Sequence, residues 1–349
     1  MADFGGWEMP IEYPAPIGGV INEHTGVRER AGLFDVSHLG KAEIGGPGAR
    51  EFLNSIVTND LSKIAPGQAQ YTMLCDPDTG GVVDDLIVYL KRDEEILLVP
   101  NAANNEEVVR RISNAAPREI SVRNAHEKYA VIALQGPQSD EIFSALGLSV
   151  NLEYMSFGEF DFAGEKTIIC RTGYTGERGY ELLPAWNSAP VIWKRILGAL
   201  EARGGVVAGL GARDTLRTEM CYPLHGHELS LTISPVEANA AWAVGWKKEN
   251  FWGASPLKKQ RSDGATRVLR PLVMVEKGIP RAGMNLLDHD GESIGVVTSG
   301  TFSPTLKKGI ALVLIKPSIA IGEQVQIDIR GNLASALVAK APLVPAHVR

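Results

Sequence analysis

Two acidic residues open one of the most apolar runs of the chain, GGVVDDLIVYL at residues 80–90. Successive side chains of a strand point to opposite faces, which places Asp85 with Ile87 on one face and Asp84 with Leu86 on the other. Both faces are apolar beyond the acids, as expected for a strand that is covered on two sides. The preceding DPDTGG is a turn sequence, and bonding to turn amides is a sufficient role for Asp84. The other acid is expected to point into the cavity that the strand lines.

The first 260 residues mix hairpins with helices. QYTMLCD and VVDDLIVYL predict a hairpin, and KTIICRTGYTG with GYELLP predicts a second strand pair. GVRERAGLFDVS predicts a helix followed by a strand, and EEILLVPNAANNEEVVRRIS a strand, a loop and an amphipathic helix. SAPVIWKRILGALEARG has apolar residues at helical spacing and ends at Gly204. This order favours an α+β fold over a doubly wound parallel sheet.

After about residue 265 the pattern changes to short apolar runs separated by Gly, Pro and Asp-Gly turns. RPLVMVE, GESIGVVTSG, KKGIALVLIK and EQVQIDIRG are examples. This pattern is typical of a small barrel or sandwich. We therefore predict an α+β region over residues 1–260 and a β domain over 265–349, with KKQRSDGATR (258–267) as a polar linker.

Composition excludes several classes of protein. The chain is 44% hydrophobic and 22% charged with a net charge of −6, and it lacks the basic stripe of a nucleic-acid binder. No apolar run reaches the roughly 20 residues of a membrane span, and no secretory signal is visible. The three cysteines, Cys75, Cys170 and Cys221, are widely spaced, which predicts neither disulfides nor a thiolate metal site. A cytoplasmic location is expected.

The segment GLGARDTLR (209–217) partly matches a dinucleotide-binding fingerprint. Asp214 stands in place of the third glycine and no βαβ partner is present, so neither nicotinamide nor flavin is expected. Arg213 opens the predicted helix, where it can attract an anionic or electron-rich group. The alternative is that Arg213 or Arg217 pairs with Asp214 or Glu219 on the helix surface.

The segment RTGYTGERGYEL (171–182) is dense in glycine and tyrosine. Its glycines are expected to let the backbone approach a flat ligand, Tyr174 offers a ring for stacking, and Glu181 is an unusual acid within a strand. A plain hairpin loop is the alternative. His225 and His227 have the spacing of metal ligands on a strand, but no third ligand is suitably placed, so local hydrogen bonding is expected and no metal.

Taken together, nine segments resemble a known family. FGGWEMPIEY, GLFDVSHLGK, GGVVDDLIVY, NAANNE, ALQGP, TGYTGERGYEL, GLGARDTLR, ISPVEAN and TSGTFSPTLKKGIAL occur in the order they take in the aminomethyltransferase, or T-protein, of the glycine cleavage system. The similarity extends almost from end to end.

The resemblance implies a fold of three subdomains arranged as a cloverleaf around a central channel, with a β-barrel last. It implies an enzyme that takes an aminomethyl group from the lipoyl arm of H-protein and gives 5,10-methylenetetrahydrofolate, ammonia and the reduced arm. Tetrahydrofolate is then the acceptor substrate, lipoylated H-protein the partner, and a monomer the expected state. A carboxylate suits this chemistry because it stabilises a cationic methylene-iminium and can take a folate proton.

Carried over by motif, the resemblance implies that Asp85 is the catalytic acid beside the folate nitrogens, whereas Asp84 has a local structural role. Glu181 corresponds to the glutamate that holds the pterin, and Arg213 to an arginine where the folate tail and the lipoyl arm meet. The remaining implied folate contacts are Tyr71, Asn101, Tyr174 and Tyr222.

The alternatives are another tetrahydrofolate-dependent demethylase or methylene transferase on this fold, and a non-catalytic folate-binding protein. The second group carries a K-G-C-Y-x-G-Q-E signature, whereas this chain has TGYTGERGYE. Two departures from the family stand out. The chain starts at the DFGGWEMP motif, before which family members usually have a further helix, and His225 replaces a frequent tyrosine.

Overall fold

The computed structural model describes residues 1–14 and 18–349. Four of its helices overlap stretches that the sequence predicts to be helical, and one overlaps the predicted linker. The helices are α1 (Val20–Glu29), α2 (Ala49–Asn54), α3 (Asn105–Ala115), α4 (Ser139–Ala145), α5 (Ala189–Glu201), α6 (Leu210–Glu219) and α7 (Ala254–Asp263). Within the described ranges, none of them is long and apolar enough to cross a bilayer.

The first part of the chain supplies a short hairpin and one sheet. The strands are β1 (Ala2–Phe4), β2 (Trp7–Met9), β3 (Gly32–Asp35), β4 (Ala42–Gly45), β5 (Gln68–Cys75), β6 (Val82–Arg92), β7 (Glu95–Val99) and β8 (Ser121–Asn124). β1 pairs with β2, and the sheet has the antiparallel order β5-β6-β7-β4-β8. The predicted hairpin of β5 and β6 therefore forms one edge of this sheet.

Strand β6 is covered on both faces, which confirms the prediction from its alternation. Leu86 and Val88 belong to the core formed with α2 and α3. Ile87 and Tyr89 contact the core between this sheet and the next one. A polar group at the end of a strand that is buried on both sides lies in surroundings of low dielectric constant.

The second sheet uses β3 and the strands that follow α3. They are β9 (Ile132–Gln135), β10 (Phe157–Phe162), β11 (Glu165–Cys170), β12 (Gly179–Pro184) and β13 (Val206–Val207). The order is β10-β11-β12-β9-β3-β13, and the β13–β3 pair is parallel. Antiparallel pairing elsewhere in the sheet, with helices packed alongside, gives the predicted α+β class.

The last part of the chain forms a closed barrel, as its short apolar runs predict. The strands are β14 (Val268–Met274), β15 (Asn285–Leu287), β16 (Ser293–Ser303), β17 (Lys308–Ile315), β18 (Gln324–Ile329) and β19 (Asn332–Val338). They close in the order β14-β17-β16-β15-β18-β19. Closure removes the exposed edges that an open sheet presents.

The stretch predicted to be a polar linker is largely helical. Helix α7 runs to Asp263 and passes through the predicted boundary near residue 260. Ala254 and Leu257 are buried on its inner face, while the lysines face outward. Gly264, with φ of 88°, then ends the helix. The charged sequence concealed a short helix with two buried apolar residues and polar side-chain contacts from Gln260 and Arg261, rather than a full amphipathic stripe.

The segment after β19 returns from the barrel to the second sheet. The Leu343 amide donates to the carbonyl of Glu219 at 2.9 Å, and the His347 amide donates to the carbonyl of Gly176 at 2.7 Å. Arg171 donates to the carbonyl of Val348 at 2.8 Å. These bonds attach the final residues to the loop between β11 and β12 and to the end of α6.

Candidate active site

Asp85 lies near the start of β6, opposite Met73 of β5, with part of its side chain exposed. The Tyr71 hydroxyl donates to Asp85 Oδ2 at 3.0 Å. Asn101, two residues beyond the end of β7, donates from Nδ2 to Asp85 Oδ1 at 2.9 Å. The carboxylate is thus fixed by two donors from neighbouring elements while it keeps an open side.

Burial raises the pKa of Asp85, and the hydrogen bond from Tyr71, the nearby His225 and the bond from Asn101 partly offset that rise. Burial and the adjacent Asp85 charge hold the pKa of Tyr71 well above its usual range. Tyr71 therefore stays protonated and remains a donor. A carboxylate of raised pKa with an open side can stabilise a cation or accept a proton.

Asp84 is fully buried and bonds to the loop after β7 rather than to the hairpin turn. It accepts from the Asn101 amide at 3.0 Å, from Asn101 Nδ2 at 2.9 Å and from Asn104 Nδ2 at 2.7 Å. The interpretation of Asp84 as a turn residue is therefore wrong. That role belongs to Asp76, which accepts from the Asp78 and Thr79 amides, each at 3.1 Å.

Asp84 and Asp85 share one amide group, since Asn101 Nδ2 lies 2.9 Å from an oxygen of each. Burial and the Asp85 charge raise the pKa of Asp84 well above its usual range, and the bonds from Asn104 and Asn101 oppose this. Two buried carboxylates this close cannot both carry a charge without cost. Asp84 therefore orients Asn101 and influences the charge on Asp85.

An aromatic wall lies beside this acid pair. The Tyr174 and Tyr222 rings stack with centroids 5.6 Å apart at 28°, and the Arg213 guanidinium lies over the Tyr174 ring at 4.8 Å. Tyr174 also donates to the carbonyl of Pro223. Burial raises the pKa of Tyr222 to about 12. Burial raises the pKa of Tyr174 and the charge of Asp85 adds to that rise, so Tyr174 lies within electrostatic range of the acid.

The two arginines of α6 differ in their partners. Arg217 is buried and bonds to Asp214 at 2.8 Å, to Glu228 at 2.8 Å and to Ser299 at 2.8 Å. Arg213 has no carboxylate within 4 Å among residues 1–14 and 18–349, and its contact is the Tyr174 ring. Arg217 therefore pairs with Asp214 as the alternative proposed, although in a buried position rather than on the helix surface, and the alternative does not apply to Arg213.

Glu181 lies in β12 opposite Cys170 and is almost completely buried. Thr172 donates to its Oε2 at 2.5 Å. Burial lowers the pKa of Arg213, while the charges of Glu181 and Tyr174 counteract that effect, so Glu181 lies within electrostatic range of Arg213. Among the described residues, Thr172 bonds one oxygen of Glu181 and leaves the other available.

The glycines of the RTGYTG loop pack against protein rather than against open space. A Cβ on Gly173 would lie 2.0 Å from Gln135 Oε1, and one on Gly176 would lie 2.3 Å from Met220 Sδ. Gly176 also has a φ of 82°. The expectation that these two glycines admit a ligand is therefore wrong, because their near side is filled by Gln135 and Met220.

The two histidines of LHGHE bond in different directions. His225 contacts Asn104 Nδ2 at 3.0 Å and the Val82 carbonyl at 3.1 Å, whereas His227 contacts the Thr298 carbonyl at 2.9 Å. Their partners are thus distant in sequence rather than local. In the part of the chain that the structure describes, no group of three or more His, Cys, Asp or Glu residues could hold a metal.

Sequence reasoning missed Trp242, whose ring stacks on Tyr71 at 5.3 Å and 25°. Trp242 is 70% exposed, although it stands next to the residue that bonds Asp85. It also missed Asn104 and Thr172, which hold Asp84 and Glu181. The three amides of NAANN were the available signal for Asn104, and nothing in the sequence distinguishes Trp242 from the other tryptophans.

The structure brings the predicted site residues together in one region. Six keep part of their surface exposed and Glu181 is buried. A separate surface cleft of about 480 Å³ between Trp7, His126 and Trp186 contains none of them. The seven residues are Tyr71, Asp85, Asn101, Tyr174, Glu181, Arg213 and Tyr222.

Comparison with known proteins identifies the family. The GCVT N-terminal domain matches residues 1–248, and the glycine cleavage T-protein C-terminal barrel domain matches residues 267–345. A protein named aminomethyltransferase from Frankia alni is 54% identical, and the match spans all of this chain and 95% of that protein. A protein of the same name from Mycobacterium tuberculosis is 52% identical, and the match spans all of this chain and 94% of that protein. The glycine cleavage system aminomethyltransferase T from Bartonella henselae superimposes with a TM-score of 0.91 at 32% identity, over 99% of this chain and 94% of that one. This likeness confirms the predicted three-part α+β fold with its C-terminal barrel, and the chain belongs to the glycine cleavage T-protein family.

Proposed function

We propose that the protein transfers an aminomethyl carbon from the lipoyl arm of H-protein to tetrahydrofolate. The products are 5,10-methylenetetrahydrofolate, ammonia and dihydrolipoyl H-protein. The carbon–sulfur and carbon–nitrogen bonds of the donor break, and two bonds form to the folate nitrogens. Their two protons end on the released ammonia and thiol. The observation that carries the proposal is the partly exposed Asp85 carboxylate, which accepts hydrogen bonds from Tyr71 and Asn101 within a T-protein fold.

Asp85 is the proposed catalytic residue. A carboxylate stabilises the positive charge that develops on the transferred carbon as the thiolate leaves, and it can take a proton from a folate nitrogen. Both donors on Asp85 come from neutral groups, the Tyr71 hydroxyl and the Asn101 amide, so neither cancels its charge. Burial strengthens its interaction with a cation because the surrounding dielectric is low.

The proposed folate site uses the remaining residues. Glu181 has one oxygen bonded to Thr172, and the other can accept from the donor pair on the pterin edge. The stacked Tyr174 and Tyr222 supply a flat apolar wall, and Arg213 lies at its edge without a carboxylate partner. An arginine in that state suits an anionic or electron-rich part of the substrate.

The proposal extends to the partner and the setting. Lipoylated H-protein is the donor, the protein acts as a monomer in the cytoplasm, and no resident metal or flavin takes part. The domain limits, 1–260 and 265–349, remain the division predicted from the sequence, and the seven site residues remain assigned by motif and by position.

The test is an assay with aminomethyl-loaded H-protein and tetrahydrofolate. Ammonia and methylenetetrahydrofolate should be released together, and only when both substrates are present. Unloaded H-protein is the control. Folate binding without release from the loaded partner would contradict the proposed donor, and methylated amines and sulfonium compounds would then be assayed as alternatives.

A further inference from the structure

His225 lies behind the acid pair and bonds through both ring nitrogens. Nε2 is 3.1 Å from the carbonyl oxygen of Val82, which can only accept, so Nε2 carries the proton. Nδ1 is 3.0 Å from Asn104 Nδ2 and, in the neutral ring, accepts from it. The hydrogen-bond partners therefore assign the neutral Nε2–H tautomer.

Asn104 has a single orientation that satisfies its neighbours. Its Nδ2 donates to Asp84 Oδ1 at 2.7 Å as well as to His225. Turning the amide would direct its oxygen at the Asp84 carboxylate and at the bare Nδ1, and both contacts are repulsive. Together with the bonds that Asn101 makes to both acids, this gives one continuous chain of contacts, His225–Asn104–Asp84–Asn101–Asp85.

We propose that His225 is a positioning residue for Asp85, and that only the neutral imidazole holds this chain in place. A proton on Nδ1 would direct a donor at the amino group of Asn104 and break that contact. Asn104 would then release Asp84, which would keep only its two bonds from Asn101. The Asn101 amide that donates to Asp85 would be less firmly fixed as a result. The inference rests on the proposed function, since it concerns how the reacting carboxylate is held.

The charged groups around His225 link its protonation to that of the acids. Asp84, on β6, bonds the same Asn104 amino group as His225. Asp85 lies close enough for its charge to interact with the imidazole, Tyr71 of β5 donates to Asp85, and Tyr174, in the loop after β11, lies within electrostatic range of it. The Asn104 bond requires the neutral ring, because a protonated Nδ1 cannot accept. Protonation of Asp84 also frees Asn104 to turn, so the two events favour each other. The chain is thus stable at high pH and is lost as pH falls.

The kinetic test compares His225→Gln and His225→Ala with the wild type between about pH 5 and 9, a range in which an imidazole changes charge. Glutamine offers an acceptor and a donor that do not titrate. We expect kcat/KM of His225→Gln to fall less steeply on the acid side than that of the wild type. His225→Ala should lose about tenfold in kcat, the equivalent of one hydrogen bond, with KM for tetrahydrofolate changed by less than about twofold.

His227→Gln is the matched control, because His227 bonds to Thr298 and not to this chain. It should keep the wild-type pH profile. The positioning role would be overturned if kcat/KM of the wild type and of His225→Gln fell in the same way on the acid side. It would also be overturned if His225→Ala changed KM alone. Circular dichroism of each variant separates this outcome from loss of folding.

A second readout does not depend on turnover. In protein with ¹⁵N-labelled imidazoles, His225 should show the Nε2–H tautomer in its neutral form, and the chemical shift of its Nδ1 should change in Asn104→Ala, which removes the donor to that nitrogen. An Nδ1–H tautomer, or an Nδ1 shift that does not change in Asn104→Ala, would overturn the inference whatever the activity. Absence of ammonia release by the wild type would instead contradict the proposed function alone.

Discussion

The Tyr71 hydroxyl donates to Asp85 Oδ2 at 3.0 Å across the β5–β6 hairpin. This bond stabilises the charged form of a carboxyl whose burial otherwise favours protonation. Because the pKa of Tyr71 is raised by burial and by Asp85, the hydroxyl remains a donor through the neutral and mildly alkaline range. The Tyr71 bond therefore favours the ionised form of Asp85, which is the form that the proposed mechanism uses.

Tyr71→Phe should move the acid limb of kcat/KM to higher pH. Removing the donor raises the already elevated pKa of Asp85 further, so the carboxylate is lost earlier as pH falls. The measurement is a pH–rate profile. Tyr129→Phe removes a comparable bond to Glu43, at 3.1 Å and away from the site, and should leave the profile unchanged. Equal profiles for the two variants would contradict the role of Tyr71.

Asp85→Asn should bind tetrahydrofolate but lose about two to four powers of ten in turnover, because the amide neither stabilises a cation nor accepts a proton. Glu181 and the tyrosines still hold the substrate. Titration of folate fluorescence measures binding, and ammonia release measures turnover. Turnover comparable to the wild type would remove Asp85 from the catalytic role.

Arg213→Gln and Arg217→Gln should differ although both change the same helix. Arg213 has the Tyr174 ring as its contact, so its loss should raise KM with little change in thermal stability. Loss of Arg217 leaves Glu228 buried without its cation and should cost about 3–5 kcal/mol of unfolding free energy. Urea unfolding and steady-state kinetics on both variants check this contrast. A stable Arg217→Gln protein would mean that Glu228 is relieved by another group.

Trp242→Ala should raise KM by several-fold while the unfolding free energy stays within about 0.5 kcal/mol, since the ring is 70% exposed. The indole covers Tyr71 at the edge of the site and offers a surface for an entering substrate. Trp186→Ala, in the separate cleft, is the control for loss of a partly exposed tryptophan. If both variants raise KM equally, Trp242 has no special place at the site.

Glu219→Gln should flatten the acid unfolding profile. Burial opposes ionisation of Glu219, but bonds from His24 and Ser303 and the charge of Arg28 lower its pKa to about 2. A lowered pKa stabilises the fold above the unfolded value of 4.5, and that stability is lost as pH falls towards 2. The contribution is about 3 kcal/mol.

Unfolding free energies measured from pH 6 to about 2 test this expectation. The variant should be less stable than the wild type near neutral pH and should change less below it. Glu201→Gln, on the exposed end of α5, should follow the wild type. A variant with the wild-type slope would assign the acid sensitivity to other groups.

The alternation of β6 was sufficient to place Asp84 and Asp85 on different faces. It was insufficient to find the partners of Asp84, because Asn101 and Asn104 follow 17 and 20 residues later, beyond a further strand. Local spacing likewise could not separate Arg213 from Arg217. The two arginines differ because Arg217 bonds to Glu228 and to Ser299, and Ser299 lies 82 residues after Arg217 in the sequence.

The polar stretch before the barrel shows that composition alone can conceal a helix. Its composition predicted a linker, but Ala254 and Leu257 of α7 are buried, and Gln260 and Arg261 add contacts to Ser234 and to the Trp246 ring. The assignment of Asp85 and Glu181 to the site needed the resemblance, because each acid taken alone also fits a turn or a hairpin loop.

The segment after β19 makes the barrel and the second sheet mutually dependent. The Leu343 amide bonds to the carbonyl of Glu219 at the end of α6, and the His347 amide bonds to the carbonyl of Gly176 in the loop that carries Tyr174. Residues that follow the last barrel strand therefore hold the aromatic wall of the site in position. Heat or denaturant should accordingly melt both parts in one cooperative transition, and the site should vanish at the same midpoint as the barrel.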